Sequence, residues 1–189
     1  MPEKRLTVVQ VLSLLTETPT RIGSATDGLS SKSLRAAPAP GEWSTNEVLA
    51  HLRSCADVWG AYMARILVED HPTIRASSPR AEVNRKDYPE LDFKKSFRAF
   101  AKQRADLLGV LASLSPQQWS RSATVTGAGR PRQSTVHSYA QRLAIHERAH
   151  VKQIERAIAS RARHEQAVKA AATRVLASDK ELFDRLSKS

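Results

Sequence analysis

Apolar residues recur every three to four positions along most of the chain, the period of amphipathic helices. Leu6, Val9, Leu12 and Leu15 form a first stripe, widened by Val8, Val11 and Leu14. Thr16-Glu17-Thr18-Pro19 predicts a break or kink, since proline lacks an amide hydrogen and crowds the preceding turn. A second helical piece is expected to reach about Leu29. Residues 30–42, with Ala36-Ala37-Pro38-Ala39-Pro40-Gly41, read as a connector. The next start is sharp: Ser44-Thr45-Asn46-Glu47 is a capping box, with Trp43 placed to staple against Val48. That helix is expected to end near Glu69, ahead of His71-Pro72. Its stripe is Val48, Leu52, Cys55, Trp59, Met63 and Ile66, with His51 and Tyr62 on the edge.

Residues 72–90 are polar and proline-bearing and predict a long loop. Residues 91–114 predict a third helix on Phe93, Phe97, Phe100, Leu107, Leu108 and Leu111. Ser115-Pro116 restarts a short turn, and 121–133 reads as loop. A fourth helix is expected from Ser134 or Thr135 to about Arg161, and a separate amphipathic helix over 165–187. No repeat and no strand alternation stands out. Long amphipathic helices joined by connectors describe an all-α bundle.

Composition narrows the class. The 189 residues suit one domain with a sizeable core, or one with a short appendage. The single cysteine, Cys55, excludes an intramolecular disulfide and fits a reducing compartment. No apolar run is long enough to span a membrane, and the first residues lack a signal-peptide pattern, so a cytoplasmic protein is expected. The net charge of +11 raises a nucleic-acid or anionic-ligand reading beside the plainer one of an arginine-rich surface.

Histidines carry the sharper signal. His146-Glu147-Arg148-Ala149-His150 puts two imidazoles one turn apart on a helix, near enough to share a metal ion. In zinc proteases the intervening glutamate is a general base. By helical phase the two histidines flank an apolar face and Glu147 points into it. A buried carboxylate there needs a partner, an arginine or a histidine N–H. His51, on the edge of its own stripe, is a candidate third ligand. Glu165 and His164 are rivals, in a protease-like spacing. Cys55, one turn after His51, is a fourth candidate, though a small core residue is the stronger reading.

Three segments together resemble the DinB-like superfamily. They are Trp43-Ser44-Thr45-Asn46-Glu47-Val48-Leu49-Ala50-His51-Leu52 with Trp59, then Ser115-Pro116 with Trp119 and Arg121, then His146-x-x-x-His150-x-x-Gln153-Ile154. The resemblance covers about residues 6–160. It implies a four-helix bundle whose second and third helices run parallel through a long crossover, here 72–90. It implies a divalent metal, zinc or nickel, on His51, His146 and His150, and it displaces the protease reading. The resulting division is a metal-binding bundle over 1–162 and a basic helical extension over 163–189.

Relatives in that superfamily include transferases and isomerases that use mycothiol, bacillithiol or glutathione, and hydrolases. The expected activity is therefore metal-dependent activation of a small thiol, or of water, against a small electrophile. Tyr62, Tyr139 and Glu147 are candidate proton-relay or supporting groups. Arg121, Arg130 and Arg132 are candidates for recognising the cosubstrate's carboxylates. A homodimer is a further expectation. The competing readings are a nucleic-acid-binding bundle, resting on charge alone, and a stress-response module without catalysis.

Overall fold

The computed structural model describes residues 5–85 and 87–186. Four long helices dominate: α1 (Val8–Thr26), α3 (Thr45–Val68), α5 (Phe93–Ala112) and α7 (Val136–Leu186). Short helices α2 (Ser31–Arg35), α4 (Pro79–Arg85) and α6 (Pro116–Ser120) fill the connections, with a 3-10 turn at Tyr88–Glu90. The predicted capping box forms at α3: the Ser44 hydroxyl accepts from the Glu47 amide, and Glu47 accepts from the Ser44 amide.

Helix α1 packs on α5 and α7, and α3 packs on the same two. So α1 faces α3 across the bundle, and α5 faces α7. Cross-links fix the directions. Arg53 donates to Ser96, and Gln103 to Asp57, so partners advance together and α3 and α5 are parallel. Leu6 meets Gln141 and Arg21 meets Glu155, so α1 and α7 are parallel as well. A parallel pair of consecutive helices requires the chain to return the bundle's length, and residues 69–92 do so. The expected four-helix bundle with its long crossover is present.

The local structure departs from expectation in several places, and the connector over 30–42 and the loop over 72–90 contain the short helices α2 and α4. Helix α1 does not break at Pro19. Val11, Leu15, Thr18, Ile22 and Thr26 are buried on one stripe across the proline, and packing on both sides outweighs the lost hydrogen bond. Residues expected as loop contain a small sheet of β1 (Thr73–Arg75), β2 (Ser122–Thr126) and β3 (Arg132–Thr135). β1 pairs in parallel with β2, Thr73 opposite Thr124, and β2 pairs antiparallel with β3. These strands are too short to show a period, although Ala123 and Val125 do alternate inward. Gly127 turns the hairpin with φ of +81°, and a Cβ there would sit 3.0 Å from Arg75 Cγ, so the sheet needs glycine at that point. Finally, the fourth helix and the expected separate C-terminal helix are one continuous α7. Residues 162–164 contain neither glycine nor proline, and nothing ends the helix there.

The core lies in two parts. One is built around Val11, Leu15, Met63, Ile66, Leu111 and Leu143 at the sheet end. The other is built around Ile22, Leu49, Leu52, Phe100, Val151 and Ile154 at the opposite end. Between them runs a polar layer to which each long helix contributes: Thr18, His51, Arg104, and His146 with Glu147.

Candidate metal centre

His51 comes from α3, and His146 and His150 from α7, the two helices in antiparallel contact on this side of the bundle. The sequence dictates the pairing. The i, i+4 spacing stacks two rings on one face of α7, and the apolar stripe of α3 turns its His51 edge toward them. His51 Nε2 and His146 Nε2 are 3.2 Å apart. The ring centroids of His51–His146, His51–His150 and His146–His150 are separated by 5.1, 5.0 and 4.5 Å. Trp43 stacks on His150 and tilts against His51, and Trp59 meets His146 edge-on, so two indoles wall the rings on either side.

These rings are neutral at ordinary pH. Burial lowers His51 and His146 to about 4, helped by neighbouring histidines and by Arg80 and Arg142 respectively. Burial lowers His150 also, partly offset by Gln153. Neutral imidazoles offer lone pairs to a cation. His150 Nδ1 lies 2.8 Å from Gln153 Oε1, an acceptor that fixes the proton on Nδ1 and frees Nε2. His146 Nδ1 is buried without a partner among the described residues. Two nitrogens bound to one tetrahedral zinc at its usual bond lengths lie about 3.3–3.4 Å apart, close to the His51–His146 separation. The donor chemistry and spacing fit a divalent metal. The potential ligand atoms that lie within 4.8 Å of one another are those of His51, Cys55 and His146, a set that does not include His150. Burial pushes the Cys55 thiol up to about 12, with Glu147 adding to the shift.

Beside His51 a cavity of about 150 Å³ opens between Trp43, Glu47, Arg80, Val83 and Pro89. The Arg80 guanidinium lies over Trp43 at 5.1 Å, and that of Arg142 over Trp59 at 4.9 Å. Two exposed arginines thus flank the histidines. Neither was singled out by sequence reasoning. Arg80 sits in a crossover segment with no recognisable motif, and Arg142 is one surface arginine among many.

The other expected residues lie elsewhere in the arrangement. Glu147 is fully buried, and Arg104 Nη2 donates to its Oε1 across the bundle from α5. Burial raises the Glu147 carboxyl to about 7 against the pull of Arg104 and Thr18. In the sequence Arg104 is one cation among several on this helix and carries no mark of burial. Tyr62 accepts from the Ser77 amide at 2.6 Å and so clamps the chain just after β1. Tyr139 is buried and packs edge-on against Tyr62, at 5.4 Å. Arg121 donates to the carbonyls of Ile66 and Glu69, closing the C-terminal end of α3. Arg130 and Arg132 are exposed on the β2–β3 hairpin. His164 and Glu165 are exposed on α7, beyond the bundle.

Comparisons with known proteins agree with this fold. The sequence profile of the DinB superfamily matches residues 14–154. A solved structure of YfiT from Bacillus subtilis, described as a probable metal-dependent hydrolase with an unusual four-helix bundle topology, superposes with a TM-score of 0.71. It is 19% identical, and the match covers 83% of this chain and 90% of that one. A mycothiol-dependent maleylpyruvate isomerase superposes with a TM-score of 0.62 at 13% identity, over 79% of this chain and 61% of that longer protein. No curated protein sequence matches the chain.

Proposed function

This chain belongs to the DinB superfamily, and we propose on that premise that it is a metal-dependent enzyme acting on a small electrophile. His51, His146 and His150 would hold the ion, with zinc or nickel favoured by the imidazole donors. The observation that carries the reading is the convergence of three neutral imidazoles from two helices, with two Nε2 atoms 3.2 Å apart beside an opening to solvent. Such an ion supplies acidification of a bound thiol or water, giving a nucleophile for transfer, isomerisation or hydrolysis. YfiT is described as a probable metal-dependent hydrolase and the other neighbour as a mycothiol-dependent isomerase, and the second makes a low-molecular-weight thiol a reasonable cosubstrate.

The chain's own residues position that chemistry. Trp43 and Trp59 wall the rings and limit water around them. Gln153 orients the His150 ring. Arg80 and Arg142 suit recognition of an anionic cosubstrate better than Arg121, whose guanidinium is committed to backbone carbonyls. Arg130 and Arg132 keep only a supporting place in this reading. Glu147, buried under Arg104, is assigned to holding α7 in place, with no role as a base. Tyr62 and Tyr139 are assigned to bracing the crossover against α7.

Elemental analysis of purified protein beside His51→Ala tests the proposal. About one divalent ion per chain is expected in the wild type, and at least tenfold less in the variant. Absence of metal from the wild type, or undiminished metal in His51→Ala, overturns it. Turnover is then assayed with mycothiol, bacillithiol and glutathione against small electrophiles.

A further inference from the structure

A second, larger cavity of about 750 Å³ lies between the connector over 38–43 and α7. Small-molecule sites have volumes of roughly 300–1,000 Å³. Trp43 lines this cavity and also the smaller one beside His51. Its inner end is Trp43 with Gln153, the two side chains that stack on and hydrogen-bond the His150 ring. From there Gln153, Arg156, Ser160 and Arg163 run outward on the face of α7 that carries His146 and His150. At about 1.5 Å per residue, the stretch from Gln153 to Arg163 spans about 15 Å. The facing wall is pinned, because Arg161 donates to the carbonyls of Ser33 and Ala36 and so fastens the connector to α7. Arg156 and Arg163 are exposed, and neither has a hydrogen bond or ion pair among the described residues. Glu42 is exposed on the connector side of the same groove.

We propose that this groove binds an elongated, peptide-like small molecule carrying two carboxylates and one ammonium. Two uncommitted guanidiniums offer planar donor forks to two carboxylates, and Glu42 offers an acceptor to the ammonium. A molecule of three to four linked residues has the reach, at about 3.3–3.6 Å per residue. The groove begins one side chain away from His150, so the ligand's inner end is the end presented to the histidines. The inference deepens the proposed function and rests on it in that one respect: it makes the cosubstrate an acidic, peptide-sized molecule instead of an uncharged one.

The test uses S-methylglutathione, which carries this charge set and has a thioether where a thiol would be, so its binding needs no thiolate on a metal. Isothermal titration calorimetry is run on the full chain as purified. Saturable binding is expected, weakened at least tenfold by Arg156→Ala/Arg163→Ala and at least tenfold by esterifying both carboxylates of the probe. Lys95→Ala/Arg98→Ala, an equal loss of charge from exposed positions on α5, is expected to leave affinity within about twofold. Absence of saturable binding, undiminished binding by Arg156→Ala/Arg163→Ala or of the diester, or an equal fall in the α5 variant overturns the proposal. Elemental analysis of the same samples keeps the two readings apart. Probe binding by protein that holds no metal supports the groove and overturns the metal reading, whereas bound metal without probe binding does the reverse.

Discussion

His51, His146 and His150 are half-buried, and their rings are held well below the ordinary histidine range, His51 and His146 at about 4. In the unfolded chain the same rings titrate near 6.5. Between those values the unfolded chain carries more protons than the folded one, so lowering the pH through that window favours unfolding. Glu147 works in the opposite sense, since its raised carboxyl lets the folded chain keep a proton that the unfolded chain has lost. Metal-stripped protein is therefore compared with the His51→Asn/His146→Asn variant by urea unfolding at pH 7 and pH 5. The wild type is expected to lose more stability between the two than the variant does. Equal losses would show that the rings are not held neutral by burial. The same residues explain why metal binding and acid are expected to compete only weakly near pH 6.

At the scale of elements, the polar layer is the distinctive part of the bundle. Arg104 and Glu147 join α5 to α7 across its interior, with side chains 1% and 0% exposed. Removing Arg104 deprives the buried Glu147 carboxyl of its partner and leaves a cavity, so Arg104→Ala is expected to cost about 3–5 kcal/mol. Arg104→Met/Glu147→Leu, which removes both charges and keeps volume, is expected to recover most of that loss. Urea midpoints with unchanged slope are the readout, and a double variant as unstable as the single one refutes the charge argument. The same layer shows what sequence could and could not disclose. The four helices, the Ser44 cap and the spacing of His146 and His150 were legible because periodicity and capping are local. That Glu147 would need a partner was legible from its helical phase. That the partner is Arg104 was not, because a cation among Lys102, Gln103 and Asp106 carries no mark of burial. The three strands escaped notice because pairing across distant segments, rather than local alternation, makes them strands.

For the whole molecule, the charge of +11 looks less like a ligand signal once the arginines are placed. Arg21 pairs with Glu155, Arg35 donates to the carbonyls of Pro89, Glu90 and Leu91, Arg121 closes α3, and Arg161 donates to Ser33 and Ala36. Arg21 joins α1 to α7, the others fasten the connecting segments, and together they leave fewer cations for a polyanion. From 162 to 176 every residue of α7 is exposed, so this stretch makes no core. We propose accordingly that 163–189 is an appendage to an independently stable bundle. A chain ending at 162 is expected to keep its thermal midpoint within about 2 °C while losing helical circular dichroism. A fall of more than about 4 °C, the upper end of what a 1 kcal/mol change produces in a domain this size, would count the segment as part of the fold. The parallel ladder between β1 and β2 bears on how the molecule assembles. It joins Thr73 to Thr124, so α5 and α6 must be looped out and returned before a single rung can form. Closing a loop of that span is entropically slow, whereas the helices on either side can form early. The pairing of α3 with α7 that gathers the histidines spans still more chain. Any metal held by these histidines would therefore be captured at the end of folding, once α7 has been made.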